Sequence, residues 1–173
     1  ETMIKIGNSC FSNCSALSDI TLPDKNIEIG SNAFNGTGYY SDKSNWTGGF
    51  LYIGNYLIKV DSTISGAYVI RNGTTAIASS AFYNITGMTS VTIPDSVNSV
   101  SQGAFYNCTS LIDIHIPNSV TGIYRSAFSC CYNLEHVYWE ATEVAPIFRP
   151  SDCLLILIQS VHMLFIDALN CIP

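Results

Sequence analysis

Apolar and polar residues alternate in a fixed pattern along most of the chain, and this pattern predicts stacked strands and turns. Ala-Phe pairs recur every 23 residues over 77–139, with the rings at Phe82, Phe105 and Phe128. Each pair is followed by an apolar residue three positions later and then by a short segment of alternating apolar residues. A fixed period of roughly 20–50 residues indicates a solenoid, in which each repeat buries its apolar edge against the next.

Each position of the repeat has a physical role. Two apolar residues separated by one polar residue predict a short strand that points both apolar side chains inward. Pro23, Pro94 and Pro117 follow three of these segments and lack the amide hydrogen that would extend the strand. The alanine allows close backbone approach and the phenylalanine fills the space between repeats. We therefore expect one short parallel strand per repeat around a continuous aromatic core.

The same pattern covers the beginning of the chain and is interrupted once. A full copy occupies 6–23 and another begins at Ile29, but the pattern breaks over 35–60. It returns in register at Ile70, which lies 23 residues before Ile93. The middle of the chain is therefore interpreted as one modified repeat rather than as a separate domain.

The interruption, which extends over 35–70, has its own pattern. Residues 48–60 contain apolar and aromatic runs on either side of Gly54-Asn55, a pair typical of a hairpin turn with positive φ. Residues 36–45 are rich in glycine, tyrosine and serine, which favours a surface loop. The sequence thus predicts a degenerate repeat that carries a β-hairpin insertion.

The repeat ends near 146, so we divide the chain into a repeat array of about five to six rungs at 1–146 and a tail at 147–173. Apolar residues at three- and four-residue intervals favour a helix from about Ser151 to Leu169, which would cover the open end of the solenoid. A membrane span is a weaker alternative, because polar residues such as Gln159 interrupt an apolar run shorter than about 18 residues. A segment foreign to the natural fold is a third alternative.

Composition narrows the classes of partner. Apolar residues make up 47% of the chain and charged residues 12%, so there is enough material for a buried core. Thirteen acidic residues stand against seven lysines and arginines, for a net charge of −6, and no basic run occurs. Neither nucleic acid nor an anionic membrane surface is therefore an expected partner. The array begins without an N-terminal cap, so we expect the sequence to be a piece of a longer protein.

Three of the seven cysteines occupy one position of the repeat, at Cys14, Cys108 and Cys131, and Ile85 fills the same position in another copy. A position that accepts isoleucine belongs to the core, and a free cysteine behaves there as a small hydrophobic residue. A disulfide between Cys108 and Cys131 on adjacent repeats is the alternative. No Cys-x-x-Cys pair occurs, so a structural zinc site is not expected.

The outward positions of the predicted strands bring polar side chains together. Neighbouring parallel strands lie about 4.8 Å apart, so Asp113, His115, His136 and Tyr138 are expected to form one cluster on the concave face. This cluster is our first candidate ligand-contact site, and a merely solvated strand face is the alternative. A metal or catalytic site would need supporting residues that the pattern does not provide. The chain also lacks the common hydrolase and phosphate-binding motifs, so no enzyme activity and no cofactor or metal is expected.

Aromatic residues crowd the interruption and form a second candidate ligand-contact site. Insertions in repeat proteins map to loops on one face, which is often the binding face, and amphipathic rings are favoured in recognition surfaces. The alternative is that these rings refill the core of a degenerate repeat. The candidate residues are Tyr39, Tyr40, Trp46, Tyr52 and Tyr56.

The 23-residue unit Ile-x-x-x-Ala-Phe-x-x-Cys-x-x-Leu-x-x-Ile-x-Ile-Pro-x-x-Val resembles the BspA-like (Treponema-type) class of leucine-rich repeat over about Met3–Trp139. The resemblance implies an α/β repeat solenoid, a right-handed β/α superhelix with parallel strands on its concave side and short helical or irregular turns on its convex side. It also implies a secreted or surface-displayed protein that mediates adhesion and has no catalytic machinery. The tail from Ile147 onward departs from the pattern.

The repeat pattern and the two candidate sites are compatible with three functions. The first is a surface module that binds a protein of a host cell, a neighbouring cell or the matrix. The second is a carbohydrate-binding module whose tyrosine and tryptophan rings stack on sugars, and the third is a passive spacer within a larger surface protein. Insertion into a membrane is not expected in any of them.

Overall fold

The computed structural model describes residues 4–25 and 27–140. A four-residue helix, α1 (Gly38–Ser41), and a 3-10 helix at Lys43–Asn45 lie within these residues. The strands of the described residues are β1 (Ile4–Ile6), β2 (Ile27–Ile29), β3 (Trp46–Thr47), β4 (Phe50–Ile53), β5 (Tyr56–Val60), β6 (Ser65–Val69), β7 (Ala76–Ile77), β8 (Gly87–Thr92), β9 (Ser99–Val100), β10 (Asp113–Ile116), β11 (Gly122–Ile123) and β12 (His136–Trp139).

The predicted strand ladder forms a four-stranded parallel sheet in the order β12-β10-β8-β6. Its register follows the repeat, because Asp113 lies beside Ser90 on one neighbour and beside His136 on the other. The alternate residues point inward, and Ile114 and Val137 are buried. The short parallel strand predicted at the alternating apolar segment of each of these repeats is confirmed.

A second ladder of strands contains the apolar residue that lies four positions before the alanine of each Ala-Phe pair. The short strands β7, β9 and β11 pair in parallel, and Ile77 pairs with Val100, which pairs in turn with Ile123. On the other side of β7 the sheet continues through β5 and then antiparallel through β4 and β3. The two ladders enclose the core from different sides, so each of the three repeats over 77–139 contributes two strands to a β-solenoid.

Phenylalanine rings fill the space between the ladders. Phe105 stacks on Phe82 at 4.5 Å between ring centroids and on Phe128 at 5.2 Å, and all three side chains are buried. Near the beginning of the chain Phe11 stacks on Phe34 at 5.5 Å. Where the array is interrupted, Phe50 from the hairpin packs against Phe82. The aromatic core predicted from the 23-residue spacing is therefore present.

The turns were expected to be short helices or irregular, and those around the Ala-Phe pairs are irregular, so the α/β description is not confirmed for the regular repeats. Ser80 and Asn84 have φ of 59° and 62°, in the left-handed region, and this interrupts any helical run. The amide of Phe82 donates instead to the carbonyl of Ala104 in the next repeat, at 2.8 Å. The turns thus bond repeat to repeat, and the fold is a β-solenoid with little helix.

The interruption contains the expected hairpin. Strands β4 and β5 pair antiparallel around Gly54, whose φ of +56° matches the positive φ expected for this turn. Strand β3 adds a third antiparallel strand that the sequence did not predict. The segment 36–45, expected to be a surface loop, lies at the surface, but α1 and the 3-10 helix occupy most of it.

The strand expected at Ile20–Leu22 does not form. The residues 23 positions further along are Lys43–Asn45, which form the 3-10 helix rather than a strand. A short parallel strand needs a neighbour to accept and donate its backbone hydrogen bonds. Because of the interruption, no strand lies one period further along to pair with Ile20–Leu22.

The start of α1 depends on a buried threonine. The Thr37 hydroxyl donates to the Phe34 carbonyl at 2.9 Å and accepts from the Tyr40 amide at 3.1 Å. We expect Thr37→Val to lower the free energy of unfolding by about 1–2 kcal/mol, because both hydrogen bonds disappear from a buried site. Urea unfolding followed by circular dichroism measures this change. Thr21→Val, which alters an exposed threonine, is the control. Equal stability of the two variants would contradict the capping role of Thr37.

The cysteines of the repeat position are buried thiols in the two repeats that contain Cys108 and Cys131. Cys108 and Cys131 are free and buried, and their thiols donate to the carbonyls of Phe82 and Phe105 at 3.1 and 3.0 Å. The disulfide alternative for this pair therefore does not hold. Cys14 is exposed, so the core prediction fails there. Its repeat is the first one described, and no described repeat covers its outer side.

These thiols should differ in reactivity. A hydrogen bond with Cys131 and then burial raise the pKa of Cys108, so little reactive thiolate is available there. We expect iodoacetamide to label the exposed Cys10 and Cys14 in the folded protein, and to label Cys108 and Cys131 only after unfolding. Peptide mapping by mass spectrometry measures the labelling. Rapid labelling of Cys108 in the folded state would contradict the burial.

The helix predicted from about Ser151 to Leu169, together with the rest of the tail, lies outside the described residues. In the part of the chain that is described, no helix has both the length and the apolar character needed to cross a bilayer.

Candidate ligand-binding face

The outward side chains of the four-stranded sheet form two parallel rows, which we call the ladder face. Because the strands pair with a 23-residue offset, residues at the same repeat position lie side by side. The first row is Ala67, Ser90, Asp113 and His136, and the second is Val69, Thr92, His115 and Tyr138. The rows become more polar and more aromatic toward β12.

Asp113 and His136 form a direct pair on this face. The carboxylate oxygen Oδ1 lies 2.9 Å from the ring nitrogen Nδ1, and the two side chains are 35% and 51% exposed. An exposed pair of this kind contributes only about 0–1 kcal/mol to stability, because water competes for both groups. The pair has a larger effect on orientation, since it holds the His136 imidazole ring beside the second row.

His115 and Tyr138 form a stacked ring pair in the second row. Their centroids lie 4.4 Å apart with an interplanar angle of 15°, and His136 stacks on Tyr138 at 6.0 Å. Tyr138 remains 44% exposed. The four candidate residues predicted on the ladder face are thus brought together as aromatic rings beside a carboxylate, and they remain accessible to a ligand.

This arrangement suits contact rather than metal chemistry. No group of three or more histidine, cysteine, aspartate or glutamate side chains within 4–25 and 27–140 is placed to hold a metal ion. Rings and a carboxylate can still stack on, donate to and accept from a partner surface. The geometry therefore favours recognition.

The aromatic residues of the interruption make many contacts with one another. The Tyr39 hydroxyl donates to the Tyr52 carbonyl and the Trp46 indole donates to the Tyr40 carbonyl, each at 2.9 Å. Tyr40 and Trp46 also pack edge to face, and Lys43 lies over the Trp46 ring at 4.5 Å. Burial and the nearby carboxylate of Asp61 raise the pKa of Tyr40. These four aromatic side chains are half-buried, and their polar atoms hold the variant repeat together.

Tyr56 is in a different environment. Its side chain is 1% exposed, and its hydroxyl lies among the backbone of the preceding segment. The hydroxyl lies 2.8 Å from the Pro23 carbonyl, makes a close contact with the Lys25 carbonyl and accepts from the Lys25 amide at 3.2 Å. Tyr56 therefore belongs to the core and does not offer a surface to a ligand. This agrees with the alternative in which rings of the interruption refill the core of a degenerate repeat.

A further ladder of side chains, which was not predicted, runs along the turn side. Tyr83 and Tyr106 stack at 5.5 Å with an interplanar angle of 8°, and the Asn107 amide nitrogen donates to the Asn84 side-chain oxygen at 2.7 Å. The signal was available, because Tyr-Asn follows Phe in two successive repeats. Lys59, half-buried beside Tyr83, carried no such signal since it lies in the interruption.

The fold and the ladder face define a repeat protein of the solenoid class that presents one side of a parallel sheet. A family model for the BspA type leucine-rich repeat region matches the sequence with six copies, over residues 1–69 and 52–147. The chain therefore belongs to the BspA-type leucine-rich repeat family. The proposed resemblance is confirmed.

Among solved structures, the chain is similar to a leucine-rich cell surface protein from Faecalibacterium prausnitzii, with 22% sequence identity and a TM-score of 0.31. The match covers 80% of this chain and 58% of that protein's chain. This chain thus spans less than two thirds of that protein. No curated protein matches the sequence.

Proposed function

We propose that this chain is a non-catalytic module, displayed outside the cell, that binds a protein through the ladder face. The observation that carries the proposal is the cluster in which His115 stacks on Tyr138 while Asp113 holds His136. Membership of the BspA-type family supports the same function, because such repeats typically belong to surface proteins that mediate adhesion. The proposed partner is a protein of a host cell, a neighbouring cell or the matrix.

The physical argument rests on preorganisation. The backbone under the four side chains is held by parallel pairing on both sides of β10, and the rings are fixed by stacking. A binding surface that is already ordered loses less conformational entropy when a partner docks. Tyrosine is also among the residues that contribute most to protein interfaces. The strand pairing belongs to the fold itself, so the stacked rings are the feature that a solvated face with no partner would not need.

The double variant His136→Ala/Tyr138→Ala tests the proposal in a binding assay against immobilised matrix proteins. We expect at least tenfold weaker binding, because truncation of the hot-spot residues of an interface costs about 2 kcal/mol or more. Trp46→Ala, in the interruption, is the matched control and should bind like the unchanged chain. Unfolding curves should show that both variants remain folded. Unchanged binding by the double variant would contradict a role for the ladder face.

A carbohydrate-binding function is the second candidate, favoured by the half-buried Trp46 ring beside Tyr40. It predicts the reverse pattern, in which soluble glycans compete for binding and Trp46→Ala removes it. A chain that is folded yet binds nothing across protein and glycan panels would instead support the spacer function.

We also propose the division of the chain into an array at 1–146 and a tail at 147–173. Limited proteolysis would then release a stable fragment that ends near 146. Cleavage within the array before that point would contradict the boundary.

A further inference from the structure

The outward side chains of the ladder face are short on β6 and β8 and longer on β10 and β12. We call the short ones the shelf, and they are Ala67, Val69, Ser90 and Thr92. In the parallel register the shelf lies directly beside Asp113 and His115 of β10. Neighbouring strands are about 4.8 Å apart, so a partner side chain that rests on the shelf contacts both of these residues.

His115 presents one face of its ring to the shelf. It lies between Thr92 and Tyr138 in the second row of the ladder face. Tyr138 stacks on one side of the imidazole, with the ring centroids 4.4 Å apart and the ring planes at 15°. The opposite side of the imidazole is therefore directed toward Thr92, whose side chain is too short to cover it, and His115 is exposed. A planar group of a ligand can stack there.

Asp113 adds a negatively charged acceptor beside this ring. Its Oδ1 lies 2.9 Å from Nδ1 of His136, and its other carboxylate oxygen has no hydrogen-bond partner in the described part of the chain. The side-chain hydroxyls of Ser90 and Thr92 also have no partner among the described residues. One carboxylate oxygen and two hydroxyls therefore remain available to donors of a ligand at the shelf.

The charge around the shelf is negative. The four strands of the ladder face contain no lysine or arginine. Glu135 and Glu140 are exposed and lie immediately before and after β12. The whole chain has a net charge of −6. A cationic ligand is therefore attracted to the shelf, whereas an anionic ligand is repelled.

We propose that the shelf binds an arginine side chain of the partner protein. The proposal rests on the function proposed for the ladder face and specifies the chemistry that this face recognises. A guanidinium is planar, stacks on aromatic rings and carries five donors, so it can stack on His115 while it donates to Asp113 and the two hydroxyls. A lysine ammonium can donate to the carboxylate but has no planar surface to stack. A neutral sugar can stack on a ring but has no positive charge to pair with the carboxylate.

The test follows the ladder face by NMR while Nα-acetylarginine amide is added at constant ionic strength. We expect saturable shifts of the His115 ring signals and the Thr92 amide signal. Nα-acetylcitrulline amide, which keeps a planar end group but has no charge, should bind at least about tenfold more weakly, because the charge-assisted hydrogen bonds are lost.

Two variants of equal net charge separate the shelf from general electrostatic attraction. Asp113→Asn should also weaken binding of the arginine derivative at least about tenfold, since the carboxylate that accepts from the guanidinium is lost. Asp24→Asn, which removes an exposed carboxylate outside the ladder face, should leave binding unchanged. Nuclear Overhauser effects between His115 and Tyr138 establish that the ladder face remains intact in each variant.

Several results would overturn the proposal. The first is the absence of a saturable shift at His115, and the second is equal binding by the Asp113→Asn and Asp24→Asn variants. Equal binding of the citrulline derivative, or of Nα-acetyllysine amide, would overturn the choice of a guanidinium. Tighter binding of methyl β-galactoside than of the arginine derivative would overturn the arginine ligand and indicate a glycan.

The protein-binding assay of His136→Ala/Tyr138→Ala distinguishes failure of this inference from failure of the proposed function. If the double variant loses binding to a matrix protein but the shelf does not bind the arginine derivative, only the inference fails. If the shelf binds the arginine derivative but the double variant binds matrix proteins unchanged, the proposed function fails instead.

Discussion

Replacing Phe105 with alanine is expected to lower the free energy of unfolding by about 3–5 kcal/mol, the usual cost of removing a large core side chain. Phe105 is fully buried and stacks on a ring in each neighbouring repeat, at 4.5 Å and 5.2 Å. Its removal therefore leaves Phe82 and Phe128 facing a cavity. A domain of this size is stable by only about 5–15 kcal/mol, so the variant should lose a large part of its stability.

Urea unfolding measured by circular dichroism provides the test, with Tyr106→Ala as the matched control. Tyr106 is the next residue in the chain, and its ring stacks on Tyr83 on the turn side rather than in the core. We expect the control to lose about 1 kcal/mol or less, as substitutions outside the core usually do. Equal losses in the two variants would mean that the phenylalanine rings do not form the core.

Replacing Tyr56 with alanine is the second large effect, again about 3–5 kcal/mol. The ring is buried where the hairpin meets the preceding repeat, and its hydroxyl bonds to backbone groups of Pro23 and Lys25. The variant loses both the ring and these contacts. The same unfolding measurement applies.

Tyr56→Phe separates the two contributions. It keeps the ring but removes the hydrogen bonds to half-buried backbone groups of Pro23 and Lys25, which costs about 0.5–1.5 kcal/mol. The comparison also decides between the two interpretations of the aromatic interruption at this residue. If both variants keep full stability but lose ligand binding, Tyr56 is a contact residue rather than a core residue.

Residues on one side of each strand are buried in the core, and residues on the other side are accessible to a ligand. The core and the candidate site can therefore be altered separately. Ile114 points inward and is buried, whereas Asp113 and His115 on either side of it point outward. Substitutions inward should change stability and substitutions outward should change binding. This separation makes the ladder face a suitable place for recognition, since its residues are free to vary while the repeat remains folded.

Much of this organisation follows from the sequence alone because the repeat has a constant length. A 23-residue offset brings Asp113 beside His136 and His115 beside Tyr138, and it stacks Phe82 on Phe105. The hairpin was predictable for a local reason, since Gly54 supplies the positive φ of its turn. Both inferences needed only spacing and backbone preference.

Other features depended on neighbours that the pattern does not specify. Ile20–Leu22 has the alternation of a strand but lacks a paired strand, because the segment one period away is helical. Cys14 shares its position with Cys108 yet is exposed, since burial depends on the adjacent repeat. The turns were expected to be short helices or irregular, and the irregular form occurs because left-handed residues such as Asn84 direct their amides to the next repeat.

The candidate site was predictable in its membership but not in its contacts. Spacing alone placed the four ladder-face residues together, while the stacking of His115 on Tyr138 depends on side-chain rotamers. The aromatic interruption could not be divided into core and surface by composition, because a tyrosine suits either environment. The structure separates the rings by their burial and hydrogen bonds, since Tyr56 lies in the core and Trp46 is half-buried.

Both the core and the ladder face depend on one register, in which residues 23 apart lie side by side. Nuclear Overhauser effects between ring protons of His115 and Tyr138 test this register directly, since the ring centroids are 4.4 Å apart. We expect strong cross-peaks between these rings, accompanied by cross-peaks between the rings of Phe82 and Phe105. A register shifted by one residue would place His115 and Tyr138 on opposite faces of the sheet. Absence of the His115–Tyr138 cross-peaks in the folded protein would contradict the account.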